Sequence, residues 1–135
     1  MNGLSLLAPV PKQHVEAALD VLKDREFVLF GSERWEELKD VDIGAKTYIY
    51  VSHQESTSEI EYTGTFLGVV GDPLEMRKLE KAGYRPASAA GEKWGCYWKV
   101  TGLEKLVKPL PLSEVQLPSG KYLRGVPRGP LLVAS

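Results

Sequence analysis

In the segment "PKQHVEAALDVLK", residues 11 to 23, the apolar positions Val15, Ala18, Leu19 and Leu22 recur at intervals that line one face of an α-helix. Pro11 suits the first turn, where a backbone N–H would have no intrahelical acceptor. The period then shortens. "EFVLF" (26–30) is an apolar run of strand type, "SERWEEL" (32–38) reads as a brief helix capped by Ser32, and "VDIGAKTYIYVS" turns at Gly44 into a β-branched and aromatic strand. After the polar loop "HQESTSEI", the run "EYTGTFLGVVG" alternates, with Gly64 and Gly68 placed where a strand bulges and a sheet curves. "DPLEMRKLEKAG" supplies Asp72 as N-cap, Pro73 at the first helical position, Glu75 at the third and Gly83 as a stop. A helix is predicted over 73–82, with Arg77, Lys78 and Lys81 on its outer face.

"GCYWKVTGL" is the next predicted strand. Five prolines between 109 and 130 are too many for a helix or a central strand, so that segment is expected to wrap the domain and end in a strand at "PLLV". Helices and strands alternate irregularly, which points to an α+β fold with a small curved sheet in a single domain over 1–135.

Composition narrows the class. With 43% hydrophobic and 26% charged residues the chain falls outside the disordered and membrane classes, and no apolar run approaches the length of a membrane span. The N-terminal "MNGLSLLAPVP" has no basic flank and too short an apolar core for a secretory signal. One cysteine, Cys96, excludes an internal disulfide and a thiol-rich zinc site, fits a reducing compartment, and leads to an expected location in the cytoplasm. The net charge of −1 conceals a bias: −5 over residues 1–90 and +4 over 91–135. Such a split either builds a basic face that meets phosphates or is blurred where both segments share a surface.

Conventional chemistry finds little to work with. Two histidines without metal-ligand spacing argue against a metal site, no glycine-rich phosphate loop implies a cofactor, and Cys96 would need His53 or His14 beside it to act as a nucleophile. His14 reads as a surface residue of the first helix. The stretch "EKWGCYWKV" (92–100) is more informative. In a strand, Cys96, Trp98 and Val100 share one face and Tyr97, Lys99 and Thr101 the other, so the apolar first set, Trp98 included, is assigned to the core. Trp94 precedes Gly95 beyond the regular strand, where it either meets a ligand at a pocket rim or plugs the end of the barrel. Trp35 stands among charged neighbours, either half-buried in packing or exposed for stacking on a base. Ser52 and His53 follow the "TYIYV" strand, where they either bond the edge of a base or belong to a solvated loop. Arg124 and Arg128, in the proline-stiffened "RGVPRGP", suit phosphate contacts or a solvated turn.

Taken in order, the first helix, "FVLF", "DIGAKTYIYVS", "GTFLGVVGDP", "YWKV" and "KPLPLSEV" resemble the PUA-like superfamily, in particular its EVE, ASCH and YTH branches, over roughly residues 12–133. The resemblance implies a small, strongly curved β-barrel with flanking helices, and as partner a nucleic acid, RNA in the first instance, or a modified nucleoside. It also implies tryptophans caging a base at the barrel mouth, a position where Trp35 falls. On this reading a base is held between Trp35, Ser52, His53 and Trp94, while Arg124 and Arg128 hold the backbone. The ASCH pattern G-x-K-x-x-E-x-R is half present: Lys23 and Glu26 keep its central spacing, with Val21 and Val28 in place of the glycine and arginine. The alternative it implies is a hydrolase of small modified nucleosides with Lys23 and Glu26 as the catalytic pair. A third reading is a protein-interaction module with the aromatics as anchors.

Overall fold

Alternation of the strand type begins nearer the N-terminus than the sequence reading placed it. In the computed structural model, which describes residues 3–33, 36–52 (Ser52 by its backbone), 59–89, 92, 94–127 and 129–134, Leu4–Pro11 forms β1. There follow α1 (Lys12–Asp24), β2 (Val28–Ser32), a 3-10 segment (Glu36–Asp40), β3 (Lys46–Ser52), β4 (Glu59–Val70), α2 (Pro73–Lys81), β5 (Cys96–Pro111) and β6 (Leu131–Ala134). The α2 start is as expected: Pro73 opens the helix and the Asp72 carboxylate accepts the Glu75 N–H at 3.2 Å. Ser32 is not a cap. It ends β2, buried, and its hydroxyl donates to the Glu33 carbonyl.

Among the described residues the strands make one six-stranded mixed sheet in the order β2-β5-β4-β3-β1-β6. The β1–β3 pair is parallel and the other four are antiparallel. The fold is α+β, but the expected closure into a barrel is not present: short strands, β2 and β6, stand at the two ends of the order with no ladder between them. Curvature comes from β4, whose pairing with β5 slips between Ile60 and Tyr62, between Thr63 and Thr65, and between Phe66 and Gly68. The first and the last of these slips turn the strand over: Ile60 and Tyr62 lie in different cores. Phe66 packs in the α1-side core, whereas Val70, four residues on, joins the cluster beneath α2, because the bulge at Gly68 (φ +117°) lies between them.

Prolines explain why the second half of β5, and β1, escaped the reading. β5 runs through Pro109 to Pro111, although β5 lies between β2 and β4, because β2 pairs only with Cys96–Val100 and leaves the rest of β5 with a free edge. β1 does the same with Pro9 and Pro11, since β6 reaches only Leu4–Leu7. A residue that cannot donate to a ladder is tolerated where no neighbour requires the donor.

The sheet is buried on both faces. On one side α1 lays Val15 and Ala18 against Leu6, Ala8, Val28, Phe30, Ile49, Trp98 and Val100. The other side is covered in two parts: α2 packs Met76 over Leu29, Val70 and Tyr97, while Leu112 and Val115 cover Leu7, Tyr50 and Ile60. Tyr97, assigned by alternation to the face away from the core, is thus as buried as Trp98, each at 1% exposure. No helix among the described residues is long and apolar enough to cross a membrane.

Candidate functional site

The free edge of β2 organises a polar cluster. An edge strand needs partners for its outward-facing backbone groups, and at Leu29 the N–H donates to the Tyr84 carbonyl at 2.9 Å while the carbonyl accepts Arg85 Nη1 at 2.9 Å. The chain after α2 therefore lies along this edge, and its 3-10 turn Ala87–Ala89 packs on α1. That path brings Arg85, Ser88, Glu92 and Trp94 to the first turn of α1, where His14 points inward at 8% exposure.

Glu92 is the hub. One carboxylate oxygen accepts the Trp94 indole N–H at 3.2 Å and lies 3.6 Å from Arg85 Nη2; the other stands 3.1 Å from His14 Nε2. The second ring nitrogen, Nδ1, lies 2.7 Å from Ser88 Oγ, which is also 3.3 Å from the Gln13 carbonyl. Partial burial pushes the Glu92 carboxyl up, but the hydrogen bonds from Trp94 and His14, with the charges of His14 and Arg85, outweigh it and hold the group below the usual carboxylate range. Burial acts on Arg85 as well and draws its guanidinium down from its ordinary value; the side chain lies 4.8 Å over the Tyr97 ring. The Tyr97 hydroxyl donates to the Glu80 carboxylate, and burial followed by that bond pushes its pKa up to about 12.

Trp94 is 40% exposed and lies against Gly31 of β2 so closely that a β-carbon there would fall inside the indole. The missing side chain of Gly31 is the seat of the ring. Two residues on, Cys96 lines a cleft of about 480 Å³ with Glu36, Lys39, Val69 and Asp72.

Of the residues singled out from the sequence, Trp94 joins this cluster. Trp98 is in the core, its ring centroid 4.9 Å from that of Phe30. Arg124 is exposed on the segment between β5 and β6, and Ser52 is the last residue of β3. Trp35, His53 and Arg128 lie outside the described residues, as does the side chain of Ser52. Lys23 and Glu26 make separate contacts: Lys23 pairs with Asp20 at 3.1 Å, and Glu26 accepts the Tyr84 hydroxyl at 2.8 Å. The backbone N–H of Glu26, then Tyr84, hold its carboxyl below the usual range. His14 corrects the sequence reading outright, since it is buried and bonded at both nitrogens instead of lying on the surface. Ser88, Glu92 and Arg85 were missed as well. His14 is 74 and 78 positions from its two partners, so no local spacing could have joined them.

No family model matches the sequence, and no curated protein matches it either. Among solved structures the chain is similar to a hypothetical protein from Leishmania major (TM-score 0.49, 16% identity, covering 82% of this chain and 71% of that one). It is similar also to a protein from Pseudomonas putida (TM-score 0.49, 15% identity, covering 80% and 73%). A third similar structure is ASCH from Zymomonas mobilis (TM-score 0.47, 11% identity, covering 92% and 90%).

Proposed function

We propose that this protein is a PUA-like binding module that receives a nucleobase, free in a modified nucleoside or carried by RNA, on the exposed face of Trp94. The observation that carries the reading is the seating of this indole. Its back rests on Gly31 and its N–H is tied to Glu92, so the ring is held in one orientation while 40% of the residue stays open to solvent. Pre-positioning lowers the ordering cost that a stacking side chain otherwise meets on binding. Stacking of a base on an aromatic ring contributes about 1–3 kcal/mol and demands no particular base. The motifs that resemble the PUA-like superfamily support the same ligand class, and Trp35, Ser52 and His53 are the further residues proposed to meet the base. Arg124, with Arg128 close by in sequence, is proposed to meet phosphates, in keeping with the +4 balance after residue 90.

Tryptophan fluorescence titrated with nucleosides and short RNA and DNA oligonucleotides tests the reading. Quenching is expected in the wild type and is expected to be lost in Trp94→Ala. With oligonucleotides, the double variant Arg124→Ala, Arg128→Ala is expected to lower the slope of log affinity against log salt by about one unit for each phosphate contact removed. Wild-type fluorescence indifferent to every one of these compounds would overturn the proposal.

A further inference from the structure

Going beyond the binding reading, we infer that Ser88, His14 and Glu92 form a nucleophile relay that accepts an acyl group from a small, uncharged carboxylic ester. Proton placement follows from the partners. Glu92, held ionised, only accepts hydrogen bonds, so a neutral His14 carries its proton on Nε2, 3.1 Å from Glu92 Oε2. Nδ1 is then a lone pair, and the hydrogen at 2.7 Å must come from the Ser88 hydroxyl. This is the arrangement of an activated serine: a hydroxyl bonded to a base, and the base oriented by a carboxylate. The roles of the two ring nitrogens are set by these neighbours and by nothing else in the ring.

The Gln13 carbonyl, 3.3 Å from Ser88 Oγ, is a second acceptor within reach of the same hydroxyl. Exposure is also graded in the sense a nucleophile requires. Ser88 is open to solvent on its short turn, whereas His14 is buried beneath it. Pro86, Ala87 and Ala89 flank Ser88 along the chain with small apolar groups, which suits a small uncharged acyl group.

The step closes without any further reactant than water. Ser88 Oγ bonds to the ester carbonyl carbon as its proton passes to His14 Nδ1. The carbon–alkoxy bond breaks, and the leaving alcohol takes the proton from Nδ1. Water then attacks the acyl carbon, gives its proton to Nδ1, and the departing Ser88 oxygen recovers it, releasing the acid. Glu92 is a positioning residue throughout.

Treating the full chain with a fluorophosphonate probe and mapping the adduct by mass spectrometry decides the matter. The expected result is one adduct, on Ser88, absent in Ser88→Ala and formed about a hundredfold more slowly in His14→Gln. Labelling is expected to slow about tenfold in Glu92→Gln and to recover in part in Glu92→Asp, a rescue that a purely structural contact would not give. Because His14 is buried, its variant is checked by circular dichroism; if it does not fold, the exposed Ser88 and half-exposed Glu92 variants carry the test. No adduct, an adduct elsewhere, or labelling indifferent to Glu92 overturns the inference. Nucleoside quenching is read separately, so failure of the base-binding proposal leaves the labelling result standing, and the reverse.

Discussion

Two tryptophans illustrate how little residue type says about role until neighbours are known. Trp98, at 1% exposure and tilted against the Phe30 ring, fills the α1-side core, and Trp98→Ala is expected to cost about 3–5 kcal/mol of stability in urea denaturation. Trp94 differs because its support is a glycine. Gly31→Ala places a β-carbon where the indole lies, and a half-exposed ring can swing out to relieve the clash. The expected outcome is a folded protein with altered indole emission and nucleoside binding weakened as much as in Trp94→Ala, about 1–3 kcal/mol. Unchanged binding in Gly31→Ala would mean that the seating of the ring is irrelevant. The alternation within "CYWKV" told which side chains share a face, and the core role of Trp98 follows from it. It could not tell that α2 buries the opposite face as well, which is why Tyr97 was placed outside.

At the scale of elements, β1 carries more than its sequence suggests. It pairs with β3 on one side and β6 on the other, and Leu6, Leu7 and Ala8 are wholly buried. Removing residues 1–11 therefore unpairs β6, exposes one edge of β3 and takes side chains from cores on both faces of the sheet. Such a truncation is expected to give no cooperative thermal transition by circular dichroism. A truncated chain that still unfolds cooperatively near the wild-type midpoint would show that β1 is dispensable. The same element shows why prolines misled. Pro9 in β1, and Pro109 and Pro111 in β5, each lie on a stretch where the adjacent strand has already ended. Whether a proline breaks a ladder depends on which neighbour is present, and that is a property of the sheet.

For the whole molecule, two phenols on the far face of the sheet set a limit at alkaline pH. Burial pushes Tyr50 up to about 12, and burial with the Glu80 bond does the same for Tyr97. The unfolded phenols ionise near pH ~10. Their stabilising contribution is thus complete below about pH 10, and is lost as pH rises through about 12, because the unfolded chain releases these protons first. The loss is about 3 kcal/mol at most for each tyrosine. Denaturation midpoints measured with tyrosinate absorbance are expected to fall over that window, and to fall less in Tyr97→Phe; a flat profile would show that neither phenol titrates late. What the sequence determined by itself was local: the amphipathic α1, the capped α2, the strand faces of β5, the Gly68 bulge of β4 and the α+β class. Each depends on residues a few positions apart, where backbone geometry imposes a fixed period. Only the tertiary structure decided that the sheet stays open, that both its faces are buried, and that His14, Ser88 and Glu92 meet. Those outcomes depend on which distant segments pack together, and the edge of β2 brings His14 to partners 74 and 78 positions away.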